Sequence, residues 1–283
     1  MFALTRFQSL CIAALALALA VPARAADYVF SAPPLADPID DRAVYGPVAE
    51  YLSAVIGKKI VYRRSDNSLA YPEQMRKGTY DLAFDDPHFV SWRMVKLQHT
   101  PLAKLPGELV FAVVSRNDNN EVSDVRDLIG RPVCALVPPN IATLTLMAQF
   151  ENPAREPLIV EKQSYTATYE GVISKSCVGA AVPVGIAQKL ANEGVMRIIY
   201  ESDGVPNQGF SAGPRFSAED RTKMADALVA PEARTKLARF FDTWSKDKNL
   251  QRASHAEYQG VARLLKNTYG FDLSATAADP TVR

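Results

Sequence analysis

Residues 78–84 read Gly78-Thr-Tyr-Asp-Leu-Ala-Phe84, and a helix is predicted to begin at Pro87, directly after them. The segment Cys177-Val-Gly-Ala-Ala-Val182 shows the same pattern later in the chain, where a helix is predicted from residue 185. Each segment is a short apolar strand that leads into a helix, and ligand crevices in open α/β sheets form at such strand ends. The two segments therefore predict two lobes with a ligand crevice between them.

Strands and helices alternate outward from both segments. Residues 28–31 and 59–62 are predicted strands, and residues 41–56 form a helix with apolar residues on one face. Residues 109–114 are an unbroken apolar run, as in a buried parallel strand. A second series of strands and helices follows over residues 125–200. The pattern predicts an α/β fold in which each lobe is a mostly parallel sheet flanked by helices.

Two stretches rich in turn-forming residues interrupt this alternation. They are Ser115-Arg-Asn-Asp-Asn-Asn-Glu121 and Gly204-Val-Pro-Asn-Gln-Gly209. We expect the chain to leave lobe 1 at the first stretch and to return at the second, which gives two hinge crossings. The predicted division assigns residues 26–114 and 209–283 to lobe 1 and residues 115–208 to lobe 2.

The N-terminus predicts export. Residues 1–25 carry a basic residue at Arg6, an apolar run over residues 10–21 and the small-residue pattern Ala23-Arg24-Ala25. This is the pattern of a cleaved signal peptide, and its apolar run is too short for a membrane-spanning helix. We expect a periplasmic protein secreted through this signal, with an uncleaved anchor as the alternative.

Charge and motifs exclude several classes of function. The chain has 32 basic and 31 acidic residues and a formal net charge of +1, so no overall field attracts nucleic acid or an anionic membrane surface. The sequence contains no nucleophile elbow, phosphate-binding loop, zinc-protease motif or dinucleotide glycine fingerprint. We therefore expect a monomer that binds no nucleic acid, has no cofactor and is not an enzyme.

Cys134 and Cys177 are the cysteines outside the predicted signal peptide. An even pair in an oxidising compartment is more often bridged than free. Both lie in predicted buried strands, and they can meet disulfide geometry if those strands are neighbours. A disulfide is the prediction, and two buried thiols are the alternative. Neither cysteine has a second cysteine or a histidine at the spacing of zinc ligands.

The chain resembles the phosphate/phosphite/phosphonate family of transporter substrate-binding proteins, which have the type 2 periplasmic binding protein fold. The resemblance rests on residues 78–84 followed by Pro87, on Pro138-Pro139-Asn140-Ile141, on the helix and strand over residues 165–182, and on Val205-Pro-Asn207. It implies capture of a small ligand, phosphonate-like or another small oxyanion, by hinge closure of the two lobes. It also implies delivery of that ligand to an ABC permease in the inner membrane. A sensor or accessory receptor of the same fold is the alternative.

The expected ligand-binding residues lie at strand ends and helix starts. Helix N-termini at Asn140 and Thr166 would direct backbone N–H groups at an oxyanion. The hydroxyl groups of Thr143 and Tyr165 would add donors. The complete predicted set is Ser31, Tyr71, Asp85, Asp86, His88, Asn140, Thr143, Tyr165 and Pro183.

The sequence Asp85-Asp86-Pro87-His88 departs from a simple phosphate site and has three interpretations. One carboxylate caps the helix that begins near Pro87. Alternatively, one carboxylate binds a cationic group of the ligand, such as an amine. In the third interpretation, Asp85, Asp86 and His88 bind a metal ion together with Tyr71, Tyr165 or Tyr169. Whether a metal is bound therefore stays open at this point, as does the identity of the ligand.

Overall fold

The computed structural model describes residues 26–35, 40–67 and 69–271, so the predicted signal peptide lies outside the described residues. The strands are β1 (Tyr28–Ser31), β2 (Ile60–Tyr62), β3 (Leu82–Asp85), β4 (Thr100–Lys104), β5 (Glu108–Leu109), β6 (Phe111–Arg116), β7 (Pro132–Leu136), β8 (Leu158–Lys162), β9 (Gly179–Pro183), β10 (Met196–Glu201), β11 (Val205–Pro206), β12 (Gly209–Ala212) and β13 (Gln251–Arg252). The helices are α1 (Asp41–Ile56), α2 (Ala70–Arg76), α3 (Pro87–Leu97), α4 (Ile141–Met147), α5 (Tyr165–Ile173), α6 (Val184–Asn192), α7 (Ala218–Val229), α8 (Ala233–Lys236), α9 (Ala238–Trp244) and α10 (His255–Tyr258). Short 3-10 turns lie at Val125–Leu128, Pro153–Arg155 and Val261–Leu265. Within the described ranges, none of these helices has the length and apolarity needed to cross a bilayer.

Two sheets divide the chain into two lobes. Lobe 1 is built on the order β13-β4-β12-β3-β1-β2, and lobe 2 on the order β10-β6-β9-β7-β8. Strands β1, β2 and β3 are parallel, as are β7, β8 and β9, whereas β12 and β6 run antiparallel to their neighbours. The predicted two-lobed α/β fold is confirmed, with mixed sheets in which a parallel half adjoins an antiparallel one.

The two passages between the lobes are paired with each other. The chain reaches lobe 2 through β5 and returns to lobe 1 through β11, and these two strands form a small antiparallel ribbon. Its register joins Val205 to Leu109 and Pro206 to Glu108. The predicted return near Val205 therefore lies in this ribbon.

The predicted position of the first crossing is wrong by one strand. Strand β6 was predicted to be the last strand of lobe 1, but it pairs with β9 and β10 in the sheet of lobe 2. The strand missed in lobe 1 is β4, whose sequence Thr-Pro-Leu-Ala-Lys has a proline and polar ends. An unbroken apolar run predicts a buried strand but does not say which sheet the strand joins. We propose that lobe 2 begins at β6, and the rest of the predicted division stays a prediction.

The core of lobe 1 lies between its sheet and α1. This helix is capped at its start by the Asp40 side chain, which accepts from the Arg42 N–H, and it ends at Gly57 with φ of 66°. Glycine adopts this left-handed conformation without a steric penalty, which is why the helix stops there. The inner face of α1 carries Val44, Val48 and Leu52, all 4% exposed or less.

A disulfide joins Cys134 of β7 to Cys177 just before β9, with Cα atoms 5.7 Å apart. The predicted bridge is thus present. Strands β7 and β9 are parallel neighbours, which brings the two cysteines close together. Both cysteines are buried. Gly171 of α5 lies against the bridge, since a Cβ atom there would collide with the Cys134 Sγ. The absence of a side chain at Gly171 lets α5 pack directly on the disulfide.

Candidate functional site: the interlobe cleft

A cavity of about 540 Å³ lies between the lobes, which is within the size range of small-ligand pockets. We call it the interlobe cleft. Its walls follow the carboxyl ends of β1, β3, β7 and β8, as expected for a crevice in open α/β sheets. The lining residues are Pro33, Pro34, Leu69, Tyr71, Pro72, Asp86 and Phe89 from lobe 1, and Leu136, Val137, Pro139, Asn140, Glu161, Lys162 and Gln163 from lobe 2.

Asp86 places a carboxylate in this cleft. Its Oδ1 accepts a hydrogen bond of 3.0 Å from Gln208 Nε2, and it forms no ion pair with any described residue. Burial raises the pKa of Asp86 to about 6, with the charge of Asp85 adding to the rise and the Gln208 hydrogen bond opposing it. Asp86 is the N-cap residue of α3, yet its side chain accepts no capping hydrogen bond. The carboxylate is therefore available to a ligand and does not cap the helix.

Replacing Asp86 with asparagine is expected to raise the thermal unfolding midpoint near pH 7.5 and to leave it nearly unchanged near pH 4. The folded-state pKa of about 6 lies above the ordinary value of 3.8, so the folded protein retains this proton over a range where the unfolded chain has lost it. Folding stability therefore falls as the pH rises through that range. Asparagine cannot ionise, so the variant does not undergo this loss of stability. Thermal unfolding of both proteins at the two pH values tests this. An equal effect at both values would contradict it.

Asp85 and Tyr71 belong to a buried charge cluster beneath the cleft. Arg93 Nε donates to Asp85 Oδ2 at 2.6 Å, and Arg93 Nη2 donates to the Tyr71 hydroxyl oxygen at 3.0 Å. The Tyr71 hydroxyl in turn donates to Asp85 Oδ1. All three side chains are at most 1% exposed. This corrects the prediction for Asp85, because both of its carboxylate oxygens accept hydrogen bonds inside lobe 1. Tyr71 still lines the cleft.

His88 forms a contact between the lobes. Its side chain is fully buried, and its Nε2 lies 3.1 Å from the carbonyl oxygen of Pro139 in lobe 2. Burial lowers the pKa of His88 to about 3, so the ring is neutral and donates from Nε2 to that carbonyl. Its Nδ1 has no hydrogen-bond partner in the part of the chain that the structure describes. His88 therefore joins α3 to lobe 2 and does not line the cleft, which corrects its predicted role.

The metal interpretation does not fit these contacts. Asp85 is paired with Arg93, and His88 already donates to Pro139. Nowhere in residues 26–35, 40–67 and 69–271 do three or more His, Cys, Asp or Glu side chains converge on a possible metal position. Of the predicted metal ligands, Asp86 and Tyr71 line the cleft.

The N-terminus of α4 is closed by its own cap. Asn140 Oδ1 accepts from the N–H groups of Ala142 and Thr143 at 3.0 and 3.3 Å. The Thr143 hydroxyl donates to the Leu136 carbonyl at 2.6 Å and is buried. The two residues before Asn140 are prolines, which have no N–H group. The N–H groups of Ala142 and Thr143 and the Thr143 hydroxyl are thus occupied, and the prediction for Thr143 is corrected.

Tyr165 retains a free donor beside the cleft. Asn140 Nδ2 donates to the Tyr165 hydroxyl oxygen at 3.2 Å, which leaves the hydroxyl hydrogen to point elsewhere. Burial raises the pKa of Tyr165 to about 12, and the nearby charge of Asp86 contributes to this rise. The hydroxyl therefore keeps its proton at physiological pH. At the start of the same helix, Ser164 caps the Ala167 N–H at 3.1 Å.

A family profile described as the periplasmic substrate-binding protein of a phosphonate ABC transporter matches residues 30–258. The chain belongs to this family. It is a small-ligand periplasmic binding protein, and the resemblance predicted from the sequence is confirmed. A comparison with curated proteins finds no match.

Several solved structures share the fold of this binding protein. XAC2383 from Xanthomonas citri bound to chloride ion is 14% identical, with a TM-score of 0.64 over 84% of this chain and 97% of that chain. PhnD1 from Prochlorococcus marinus in complex with methylphosphonate is 12% identical, with a TM-score of 0.60 over 84% and 97%. The binding component of an ABC phosphonate transporter from Pseudomonas aeruginosa is 12% identical, with a TM-score of 0.56 over 84% of each chain. At these identities, the similarity shows the fold alone.

The structure of the binding protein brings together part of the predicted site. Tyr71, Asp86 and Asn140 line the cleft, and Tyr165 adjoins it through Asn140. Ser31 is buried and donates to the Arg63 carbonyl at 2.7 Å, away from the lining residues. Pro183 ends β9 and precedes α6, also outside the lining.

Strand β8 of lobe 2 also contributes to the cleft, which was not predicted from the sequence. Glu161 and Lys162 end this strand, Gln163 follows it, and all three line the wall opposite Asp86. Gln208, which donates a hydrogen bond to the Asp86 carboxylate, lies in the segment between β11 and β12. The charged residues at the end of the predicted strand over residues 158–161 were a usable signal, because strand ends at the switch point face the ligand.

Proposed function

We propose that this protein binds a small ligand carrying both an oxyanion and a cationic group, such as an aminophosphonate, in the interlobe cleft. After removal of residues 1–25 it acts in the periplasm as a monomer, without catalysis, and delivers the ligand to an ABC permease. The observation that carries the ligand class is the Asp86 carboxylate, which faces the cleft and has no cationic partner among the described residues.

The charges of the cleft support a ligand of mixed charge. Asp86 and Glu161 contribute carboxylates, and Lys162 contributes a cation to the opposite wall. A simple anion close to Asp86 would be repelled, whereas an ammonium group would form a charge-assisted hydrogen bond with it. The Tyr165 hydroxyl and Lys162 supply donors for the anionic end. The cleft thus has complementary groups for both ends of a zwitterion.

Calorimetry with aminoethylphosphonate and ethylphosphonate tests this proposal, because the two differ by the amine. We expect the amine to strengthen binding roughly tenfold or more, in line with a hydrogen bond to a charged group. Asp86→Asn should remove most of this difference. Lowering the pH below about 6 should also weaken binding of the amine, because Asp86 is then protonated.

The matched control is Glu161→Gln, which removes the other carboxylate of the cleft at an exposed position. It should change the preference for the amine much less than Asp86→Asn does. Equal binding of the two phosphonates by the wild-type protein would contradict the proposed ligand class. Equal binding of aminoethylphosphonate and ethylamine would show that the anionic end is not recognised.

A further inference from the structure

A second cavity, of about 440 Å³, lies between the lobes next to the cleft. Leu69, Pro72 and Pro139 line both cavities, so the two share a wall. Lobe 2 contributes residues of α4, and the C-terminal part of the chain contributes residues 263–271. Its floor is apolar and includes Leu144, Met147, Leu264 and Phe271. None of these four residues lines the cleft.

Three cations line this second cavity without a close ion pair to any residue that the structure describes. Arg76, Arg263 and Lys266 line it, and none of them forms an ion pair with a described residue. The Arg76 guanidinium lies 5.1 Å from the centre of the Phe271 ring, which leaves its donors free for another group. Glu156 contributes the one carboxylate among the lining residues; burial raises its pKa, and the nearby charge of Lys266 opposes this rise. The second cavity is therefore positively charged above an apolar floor.

The rim of the second cavity carries exposed apolar side chains. Tyr269 is 95% exposed and Leu69 is 72% exposed, the highest values for large apolar side chains in the described ranges. Both line the second cavity. Large exposed apolar side chains that cluster around a concave surface are typical of a binding site. This observation is independent of the charges and indicates an occupant with an apolar part.

We propose that the second cavity binds an amphipathic organic anion. The apolar body lies against Leu144, Met147 and Leu264, and the carboxylate or sulfonate group lies at Arg263 and Lys266. Three cations against one carboxylate among the described lining residues favour an anion over a neutral or cationic ligand, and the apolar floor disfavours a small hydrated ion. This site is separate from the cleft and binds a different chemical class from the zwitterion proposed there.

Anilinonaphthalene sulfonate is a suitable probe, because it joins an aromatic body to one sulfonate and its fluorescence reports binding. The double variant Arg263→Gln/Lys266→Gln should weaken its binding about tenfold or more, since both side chains are exposed and can be replaced without disturbing the core. The matched control, Lys236→Gln/Lys246→Gln, removes two exposed cations that do not line the cavity. It should change the dissociation constant less than about twofold.

Competition tests the required anionic group. Decanoate should displace the probe, whereas decanol, with the same chain and no charge, should not. Asp86→Asn should leave probe binding unchanged, because Asp86 lines only the cleft. The proposal is overturned if the two double variants behave alike, if decanol competes as well as decanoate, or if Asp86→Asn weakens the probe as strongly as loss of Arg263 and Lys266.

Ala148→Glu provides an independent variant that leaves the cations in place. Ala148 is exposed and lines the second cavity, so glutamate there adds a negative charge without changing the core. We expect probe binding to weaken about tenfold or more, because the added carboxylate repels the sulfonate and pairs with the cations. Unchanged binding by this variant would also overturn the proposal.

Discussion

Replacing Arg93 with methionine is expected to lower the free energy of unfolding by about 3–5 kcal/mol. Arg93 and Asp85 are an ion pair in which neither side chain is exposed. Methionine leaves the Asp85 carboxylate buried with only the Tyr71 hydroxyl as its partner. A buried charge without a counter-charge is among the largest single-residue destabilisations known in proteins. Urea unfolding followed by circular dichroism measures the change.

The matched control is Lys77→Met, which breaks the exposed pair of Lys77 with Glu73, both more than half exposed. Its cost should stay below about 0.5 kcal/mol, because water already screens the pair. The double variant Asp85→Leu/Arg93→Met should recover part of the loss, since it leaves no unpaired charge in the buried cluster. A similar cost for Arg93→Met and Lys77→Met would show that the buried cluster does not stabilise the fold.

Removing the disulfide with Cys134→Ala/Cys177→Ala is expected to cost about 4 kcal/mol, the value that the loop-entropy relation gives for a closed loop of this length. The two cysteines are 43 residues apart in the sequence. Urea unfolding of the variant and of the wild-type protein, each with and without reductant, measures the cost. The reductant should shift the wild-type curve toward that of the variant and leave the variant unchanged. Free thiols in the denatured, unreduced wild-type protein would contradict the bridge.

The fold could be predicted because its strongest signals are local. The apolar segments at residues 78–84 and 177–182 became β3 and β9, although β3 begins only at Leu82. Asp81 just before it accepts hydrogen bonds of 2.8 Å from the Val29 N–H and from Arg215. Such long-range partners decide where a strand begins, and local sequence does not contain them. The same limit explains why β6 was assigned to the wrong sheet.

The site was only partly predictable because neighbouring residues face opposite ways. Asp85 and Asp86 are adjacent, yet the first points at Arg93 inside lobe 1 and the second faces the cleft. Which carboxylate faces the ligand depends on Arg93 and Tyr71, which come from two different helices. The sequence contained a clearer signal at Asn140. Asparagine is a preferred N-cap residue, so its occupation of the α4 donors follows from local sequence alone.

The ribbon of β5 and β11 constrains how the lobes can move. Two separate linkers would allow the lobes to twist and slide independently, but here the linkers are hydrogen-bonded to each other through Leu109 and Val205. We expect the two paired strands to bend together, mainly about one axis that crosses both of them. We therefore expect opening to occur mainly about this one axis. In that case the same walls, with Asp86 on one side and Lys162 on the other, are expected to face each other whenever the lobes close.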